Sequence, residues 1–301
     1  MDLNKVLADE VIAVSQWDRL CDAQLLVPAL CRLCAQAAAA IVEVYQSAED
    51  IVFEQKIDRS PVTLADKKAH AIIIEGLAAL PLQWPVLSEE QDDIDFELRR
   101  QWPRYWLVDP LDGTREFLDR NGEFTINIAL IERGVAVLGV VYVPLSDQAY
   151  IGIPADNYAV KVEAGRSYPL PLQEQAYNHR VDSRMLRVLT SSRDNGDELQ
   201  GFITAMQQHF DEVIWVKVGS ALKFCLLAEG QGDIYPRFSP CSEWDTAAGQ
   251  AVLEAAGGRL LDMTFKPLRY NQKPCLLNSN FYALGNNDID WPVLLAGSSI
   301  G

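Results

Sequence analysis

The sequence predicts an α/β protein whose N-terminal half is α+β, with antiparallel strands, and whose C-terminal half alternates strands and helices. Three observations predict this class. Two alanine-containing amphipathic stretches, at about 27–46 and 64–80, precede a series of short β-rich segments. The residues Glu132-Arg133-Gly134 separate two of those segments as a hairpin turn would. After a polar, proline-bearing stretch at 164–184, strands and helices alternate.

The elements follow from these patterns in chain order. The predicted strands of the N-terminal half are Trp84–Leu87, Tyr105–Val108, Phe124–Ile131, Val135–Val143 and Ala149–Ile153. The predicted strands of the C-terminal half are Leu186–Thr190, Val213–Val216, Asp233–Tyr235 and Arg259–Leu261, with helices at about 195–209, 220–229 and 243–256. We therefore divide the chain into an N-terminal extension of unknown role at 1–23, an α+β half at 24–175 and an α/β half at 176–301.

Composition and charge limit the classes of function. The chain has 301 residues, 49% of them hydrophobic, which is enough apolar material for a packed core. Its 26 basic and 42 acidic residues give a net charge of −16, which argues against binding nucleic acid. If the ligand is itself an anion, a cation must lie between protein and ligand.

The sequence also favours the cytoplasm. Residues 1–20 lack the apolar run of a secretory signal, and Arg32 and Glu43 interrupt the longest apolar stretch, Leu25–Tyr45, so no membrane span is predicted. Six scattered cysteines fit a reducing compartment. Cys31 and Cys34 have helical spacing and no histidine nearby, so we interpret them as part of a helix interface rather than a zinc site.

Acidic residues cluster at four places where an apolar strand ends or a helix begins. These residues are Asp66, the pair Glu89 and Glu90, the pair Asp109 and Asp112, and the pair Glu243 and Asp245. In the segment Asp109–Thr114 (D-P-L-D-G-T), two aspartates around a proline turn can point at one spot, together with the Leu111 carbonyl. Such hard oxygen ligands suit Mg²⁺, and the N–H groups from Gly113 onward can bind a phosphate oxygen. Taken alone, this motif also fits a solvated turn.

Three motifs together resemble the inositol monophosphatase superfamily. They are S-E-E at 88–90, D-P-L-D-G-T at 109–114 and W-D-T-A-A-G at 244–249, in the family's order. The resemblance spans residues 56–249. It implies a layered αβαβα sugar-phosphatase fold and a lithium-sensitive phosphomonoesterase activity with two or three Mg²⁺ in each site. Bound Mg²⁺ would allow an acidic cleft to receive a phosphate.

The resemblance assigns roles to individual residues. The implied metal ligands are Glu89, Asp109, the Leu111 carbonyl, Asp112 and Asp245. The implied catalytic residues are Glu89, which orients the attacking water, Thr114, which binds that water, and Asp66, which accepts the threonine hydroxyl proton. Asp66 could also form a capping box with Thr63, and both interpretations can hold. Glu90 fits a supporting role, and His70 a structural one. The implied mechanism is in-line displacement by a metal-activated water.

A downstream pattern bears on the substrate. Inositol-specific members of the superfamily carry a carboxylate about where Arg237 falls, whereas a guanidinium can only donate and pairs well with phosphate. Lys223, one helical turn from Ser220, would add a second cation on the same face. The motifs G-S-A-L-K-F and Y-P-R-F, with residues 109–130, resemble the bacterial bisphosphate nucleotidases of sulfate assimilation, which convert adenosine 3′,5′-bisphosphate to AMP. The alternative interpretation of Lys223 and Arg237 is that they form surface ion pairs and do not bind phosphate.

The expected substrate-binding residues are Glu89, Leu111, Asp112, Gly113, Thr114, Ser220, Lys223, Arg237 and Asp245. We name the half at 24–175 the metal-binding half and the half at 176–301 the substrate-binding half, because the latter contains Ser220, Lys223 and Arg237. The leading hypothesis is a Mg²⁺-dependent 3′(2′),5′-bisphosphate nucleotidase acting on a small-molecule nucleotide bisphosphate, as a monomer or homodimer.

Two alternatives compete with this hypothesis. An inositol or sugar phosphate phosphatase is disfavoured by Arg237 and Lys223. A regulatory binding protein on the same fold is disfavoured because every expected metal ligand is present. The resemblance also implies peripheral association with the cytoplasmic face of the inner membrane, which the composition does not itself show.

Overall fold

A computed structural model describes residues 23–47, 52–55, 61–171, 185–191, 194, 196–285 and 289–296. Its helices are α1 (Ala23–Gln46), α2 (Leu64–Ala78), α3 (Phe96–Arg99), α4 (Thr114–Leu118), α5 (Asp197–Met206), α6 (Leu222–Glu229), α7 (Ala247–Ala255) and α8 (Trp291–Ala296). Short 3₁₀ helices lie at Pro154–Asp156 and Glu243–Asp245. The extension at 1–23 lies outside these residues except for Ala23, which begins α1.

The strands form three sheets. They are β1 (Phe53–Gln55), β2 (Pro61–Thr63), β3 (Val86–Ser88), β4 (Arg104–Asp112), β5 (Thr125–Glu132), β6 (Val135–Val143), β7 (Gln148–Ile153), β8 (Tyr158–Glu163), β9 (Arg166–Pro169), β10 (Met185–Thr190), β11 (Glu212–Lys217), β12 (Ile234–Arg237), β13 (Arg259–Asp262) and β14 (Phe281–Leu284). β1 and β2 pair as a small ribbon. The seven-stranded sheet runs from β3 to β9 in chain order and is antiparallel except for β3 with β4. The five-stranded sheet has the order β11-β10-β12-β14-β13 and is parallel only at β10 with β11 and β12.

The helices and sheets stack in five layers. Alternate residues of β5 show this: Ile128 and Leu130 pack with α1 and α2, whereas Ala129 and Ile131 pack with α6 and α7 on the opposite face. α6 and α7 fill the space between the two sheets, and α5 and α8 cover the outer face of the smaller sheet. The predicted layered αβαβα class is confirmed.

The hairpin predicted from Glu132-Arg133-Gly134 is also present. Arg133 and Gly134 both have positive φ, 48° and 79°, which is the geometry of a two-residue turn between β5 and β6. β9 occupies the first part of the stretch at 164–184, and residues 172–184 lie outside the described residues. The division of the chain at 175 therefore stays a prediction.

α1 contains a stretch that meets the criterion for a membrane span, although Arg32 and Glu43 led us to predict none. Leu25–Gln46 is long and apolar enough to cross a membrane by length and composition, with a mean hydropathy of 1.9. In the fold, Leu26, Leu30 and Ile41 of this helix are fully buried in the layer against the seven-stranded sheet. Cys34 is buried in the same layer with Cys31 beside it, as the helix-interface interpretation expects. Packing in the fold therefore buries one face of the helix, with 39% of its apolar stretch inside the structure.

α7 lies directly against β6 and β7 because glycines stand at the contact. A Cβ added at Gly139 would lie 2.3 Å from the Ala248 carbonyl oxygen, and one at Gly152 would lie 2.3 Å from that of Ala251. Both contacts are with backbone atoms of α7, which no side-chain rotation relieves. This close approach places the N-terminus of α7 beside the end of β4.

We expect Gly139→Ala to lower the free energy of unfolding by about 1–3 kcal/mol or more, because the added methyl group would push α7 away from the sheet. Gly201→Ala in α5 is the matched control. An added Cβ there meets nothing within 4 Å, so it should stabilise the helix by about 0.5–1 kcal/mol. Urea unfolding of both variants tests this packing. If both substitutions changed the free energy of unfolding by the same amount and in the same direction, the close contact at Gly139 would be contradicted.

Candidate active site

The end of β4 carries two of the predicted metal ligands. The predicted strand ended at Val108, but β4 continues to Asp112 with an irregular register. Asp109 pairs with Asn127 and Asp112 with Thr125, so two residues of β4 stand opposite one of β5. Pro110 has no N–H to give to the ladder, which is the local reason for a bulge at this point. The bulge brings both aspartate side chains to the same end of the sheet.

A short turn before α7 supplies the third carboxylate. The helix predicted at about 243–256 is divided in two, because Glu243–Asp245 form a 3₁₀ helix and α7 begins at Ala247. Ser242 and Asp245 form a capping box, in which the Ser242 N–H donates to Asp245 Oδ2 at 2.8 Å. This capping box fixes the Asp245 side chain in the short turn just before α7 begins.

The three aspartates converge. One carboxylate oxygen from each of Asp109, Asp112 and Asp245 lies within 4.8 Å of the other two. Glu89 follows β3, where its N–H donates to the Val108 carbonyl at 3.1 Å, and its carboxyl group is in hydrogen-bond contact with Asp109. Burial, followed by repulsion from Glu89, Asp112 and Asp245, raises the pKa of Asp109 well above its usual range. Burial and the charges of Asp112 and Glu89 raise the pKa of Asp245 in the same way.

This donor set fits a divalent cation. Buried carboxylates that repel one another need a positive charge at their centre, and carboxylate oxygens are the ligands that Mg²⁺ and similar hard cations take. The Leu111 carbonyl lies in the same bulge, with its side chain buried. The coarse prediction of a metal-binding acidic cluster is therefore supported by the residues present.

Neighbours of Asp112 orient it, and the sequence did not indicate them. Asp112 Oδ2 accepts hydrogen bonds from the Ala221 N–H at 2.6 Å, from Asn127 Nδ2 at 3.1 Å and from the Thr125 hydroxyl at 3.4 Å. Among the described residues these three donors all go to Oδ2, and none of them goes to Oδ1. A polar Asn127 in the apolar strand T-I-N-I-A-L was the available signal.

Asp66 serves two partners with its two oxygens. Oδ2 accepts the Thr63 N–H at 2.7 Å within a capping box at the start of α2. Oδ1 accepts the Thr114 hydroxyl at 3.0 Å, and the same hydroxyl is 3.4 Å from the Leu111 carbonyl oxygen. Burial raises the pKa of Asp66, and the hydrogen bonds from Thr63 oppose that rise. The cap and the Thr114 contact, which were weighed as alternatives, coexist.

The carboxylate cluster opens into a cleft of about 1190 Å³. Its walls include Glu89, Glu90, Asp112, Gly113, Thr114, Ser220, Lys223, Arg237 and Asp245. Asp66, Asp109 and Leu111 are each 1% exposed and lie beneath that surface. His70 lies outside the cleft, with Nδ1 3.0 Å from the Ser88 hydroxyl, in keeping with a structural role.

Lys223 is an interior residue. It is 3% exposed, and its ammonium donates to the carbonyls of Val218 at 2.9 Å and Ser220 at 2.7 Å. Burial lowers the pKa of Lys223 to about 8, and the nearby Asp112 opposes that effect. The surface ion-pair alternative is therefore wrong for Lys223. Two of its three N–H groups are used, so it can offer one to a ligand while balancing the charge of Asp112.

Arg237 is held without an acidic partner. Nε donates to the Ser239 carbonyl, Nη1 to the Tyr235 hydroxyl and Nη2 to the Pro240 carbonyl, each at 3.1 Å. Within the described part of the chain no carboxylate forms an ion pair with it, so the surface ion-pair alternative fails here too. Three of its five N–H groups fix the side chain, and two remain for an anion in the cleft.

We expect Mg²⁺ to raise the melting temperature more at about pH 8 than at about pH 6. The pKa values of Asp109, Asp112 and Asp245 are raised in the folded protein, so without metal the folded state holds protons that the unfolded state has lost. The metal-free folded state therefore loses stability as the pH rises above about 3.9, the pKa of an aspartate in the unfolded chain. The loss ends once the pH has passed the raised pKa values of the folded protein. Metal binding requires the deprotonated forms, so the benefit of Mg²⁺ grows with pH. Melting curves with and without Mg²⁺ at both pH values test this, and a larger shift at the lower pH would contradict it.

Fold and cleft together define a layered α/β protein with an oxygen-ligand centre for a divalent cation. The chain belongs to the inositol monophosphatase family, whose sequence profile matches residues 22–289.

Among similar proteins, the 3′(2′),5′-bisphosphate nucleotidase CysQ of Salmonella typhimurium is 45% identical over 252 residues, which cover 84% of this chain and 96% of the relative. The Escherichia coli K12 protein of the same name is 44% identical over the same shares. Among solved structures, CysQ from Bacteroides thetaiotaomicron, a bacterial member of the inositol monophosphatase family, superposes with a TM-score of 0.74 at 36% identity over 86% of this chain and 97% of that one. SuhB from Bartonella henselae, at 22% identity and a TM-score of 0.69 over 90% of this chain and 98% of that one, shares the fold.

Proposed function

We propose that this chain is a Mg²⁺-dependent phosphomonoesterase that removes the 3′-phosphate of adenosine 3′,5′-bisphosphate, giving AMP and inorganic phosphate. The observation that carries the proposal is one cleft that contains both the carboxylate cluster and Arg237, a guanidinium with no acidic partner among the described residues. The first feature suits the phosphate that is cleaved, and the second suits a phosphate that is kept. The activity named for the Salmonella and Escherichia coli relatives supports the same substrate.

Glu89, Asp109, the Leu111 carbonyl, Asp112 and Asp245 would hold the metal ions. When bound, Mg²⁺ lowers the pKa of a water molecule and stabilises negative charge on the leaving oxygen. The protein's part is to hold these ligands in fixed positions at the wall of the cleft. Ala221, Asn127 and Thr125 fix Asp112, and the Ser242 N–H fixes Asp245.

Thr114 and Asp66 act on the attacking water in this proposal. Asp66 accepts the Thr114 hydroxyl hydrogen, which turns the lone pairs of that oxygen toward a water molecule in the cleft. The water then donates to Thr114 and presents its own lone pair to phosphorus. Glu89, at the same wall, accepts a hydrogen bond from the second O–H of that water and so orients it.

We assign the phosphate that is not cleaved to Arg237. Arg237 offers two N–H groups from a side chain already fixed by its own loop, so little side-chain freedom is lost on binding. Ser220 and Lys223 line the same cleft, and Lys223 lies near enough to both Asp112 and Arg237 to interact with their charges, so we assign both residues to substrate binding.

We expect Thr114→Val to lower kcat about 10²-fold or more, because it removes the hydroxyl that orients the water and keeps the side-chain shape. The free energy of unfolding should fall by no more than about 1–3 kcal/mol, because Asp66 Oδ1 loses this one donor. Thr204→Val in α5 is the control, since among the described residues its hydroxyl donates to the Gln200 carbonyl of the same helix and to nothing in the cleft. Steady-state kinetics and thermal unfolding of both variants check the assignment. An unchanged kcat for Thr114→Val would remove Thr114 from the mechanism.

Product analysis tests the proposed reaction. Purified protein is incubated with adenosine 3′,5′-bisphosphate, with Mg²⁺ or with a chelator, and the nucleotide products are separated. We expect AMP and phosphate in equal amounts, and only with the metal. Adenosine 3′-monophosphate as the product would mean that the 5′-phosphate is cleaved, and equal turnover in chelator would reject the metal centre.

Neither alternative function is favoured. An inositol-type site would place a carboxylate about where Arg237 lines the cleft, and a binding protein without activity would not need a complete set of oxygen ligands. We also propose a cytoplasmic location, with peripheral association with the inner membrane and a monomeric or homodimeric state as open predictions. Fractionation of cells and ultracentrifugation of the purified protein test these.

A further inference from the structure

Arg99 is a buried cation outside the cleft lining. It ends α3, the short helix that follows the acidic loop beginning at Glu89, and it is 1% exposed. Its Nε donates to the Ile94 carbonyl at 3.3 Å, and Nη2 donates to the Lys273 carbonyl at 3.2 Å and to the Pro274 carbonyl. The guanidinium carbon lies 4.9 Å from the centre of the Phe96 ring. One side chain thus ties the loop after Glu89 to the segment at 271–274.

Asn271 joins Arg99 to the turn that carries Asp245. Its Oδ1 accepts from Arg99 Nη1, and its Nδ2 donates to the Arg99 carbonyl at 2.6 Å. Its backbone N–H donates to Glu243 Oε2 at 2.8 Å. Asn271 is 6% exposed and has a φ of 58°, a conformation that asparagine tolerates better than most residues.

Glu243 is the first residue of the 3₁₀ helix that ends at Asp245. It is 1% exposed, and its N–H donates to the Leu276 carbonyl at 2.8 Å. Both its backbone and its side chain are therefore fixed to the segment at 271–276, which Arg99 holds. Asp245 lies two residues further on and shares the short turn.

Burying Arg99 is costly for stability, since its direct hydrogen-bond acceptors are all neutral and the Glu243 charge acts on it without a direct contact. No acidic side chain forms an ion pair with it in the described part of the chain, and an apolar residue of similar size could fill the space. The Arg99 guanidinium donates four hydrogen bonds to acceptors in two separate segments, at Ile94 and at 271–274. A lysine cannot reproduce this geometry.

We propose that Arg99, Asn271 and Glu243 form a positioning network that fixes Asp245 relative to Glu89 and thereby sets the affinity of the carboxylate cluster for a divalent cation. This inference rests on the metal centre of the proposed function and adds residues to it that touch neither metal nor substrate. Partners of metal ligands that do not bind the metal themselves commonly change metal affinity by about 10–100-fold when they are altered.

The test measures metal binding directly on the full-length protein after metal removal. Mn²⁺ is the probe, because it takes oxygen ligands as Mg²⁺ does and its free ion gives a paramagnetic resonance signal. The variants are Arg99→Lys and Asn271→Gly. Glycine suits the positive φ at 271 and keeps the N–H to Glu243, but it removes both side-chain bonds to Arg99.

Arg187→Lys is the matched control. Arg187 lies on β10 and forms a two-pronged pair with Asp233, at the end of β12 opposite to Arg237. This change also disrupts a partly buried arginine, so it lowers the melting temperature without touching the network.

We expect Arg99→Lys and Asn271→Gly to weaken Mn²⁺ binding about 10–100-fold, while Arg187→Lys binds as the wild type does. The double variant should be little weaker than either single one, because both changes break the same link. If Arg99→Lys does not fold, Asn271→Gly decides the matter by itself. Wild-type affinity in variants whose melting temperature has fallen would overturn the positioning role and leave the proposed function intact. Absence of Mn²⁺ binding by the wild type would instead reject the metal centre, and this network's role with it.

Discussion

Asp112→Asn should reduce turnover by a factor of at least about 10²–10³ at saturating Mg²⁺. An amide cannot balance a divalent cation as a carboxylate does, and metal stabilisation of the transition state is worth several kcal/mol, at about 1.4 kcal/mol per tenfold change in rate. The structure indicates that the fold will tolerate the change. The amide oxygen at position 112 can still accept from the Ala221 N–H and from Asn127.

Thermal unfolding separates loss of the metal from loss of the fold in this variant. Relief of repulsion with Asp109 and Asp245 stabilises the metal-free protein, and loss of attraction to Lys223 opposes that gain, so its melting temperature should change little. The rise that Mg²⁺ produces in the wild type should disappear. Glu198→Gln, which removes an exposed charge on α5, should keep both the activity and the Mg²⁺ response. Near-wild-type turnover of Asp112→Asn would reject Asp112 as a metal ligand.

Arg237→Ala should lower kcat/KM for adenosine 3′,5′-bisphosphate by about 10- to 150-fold. The figure follows from about 1.5–3 kcal/mol for charged hydrogen bonds to phosphate, at about 1.4 kcal/mol per decade. Adenosine 3′-monophosphate has the same nucleoside and the same scissile phosphate, but it lacks the phosphate that Arg237 is proposed to bind. Its kcat/KM should hardly change, so the ratio between the two substrates isolates the second phosphate.

Arg115 offers a matched control for this experiment. It lines the same cleft, but its side chain is exposed, and a screened surface charge contributes little. Arg115→Ala should therefore change both substrates slightly and mainly at low salt. An equal loss on both substrates for Arg237→Ala would mean that Arg237 supports the loop at 239–240, and no loss on either would return the inositol phosphatase hypothesis to consideration.

Features set by local sequence could be predicted, and features set by distant contacts could not. The β5–β6 hairpin follows from its own turn residues, and the capping box at Thr63 from a four-residue motif. β14 was not predicted. It is stabilised by pairing with β12 and β13, and the local sequence pattern carries no information about such distant partners. β8 and β9 were also missed, since their exposed and half-buried residues give a weak strand pattern.

The candidate site divides in the same way. Motifs indicated Asp109, Asp112 and Asp245, and the structure brings them together. They could not indicate that Lys223 is buried on backbone carbonyls, because a lysine in a helix pattern is ordinarily exposed. Nor could they indicate Arg99, whose partners at 271–274 lie far along the chain.

The relative kcat/KM for adenosine 3′,5′-bisphosphate and inositol 1-phosphate, measured with Mg²⁺ on the same preparation, tests the central claim most directly. In the proposed site both substrates would place one phosphate on the carboxylate cluster, but only the nucleotide has a second one for Arg237. We predict a preference for the nucleotide of at least about tenfold, the lower bound for a charged phosphate contact. An equal rate for both substrates, or a preference for inositol 1-phosphate, would contradict the claim that this cleft recognises a bisphosphate.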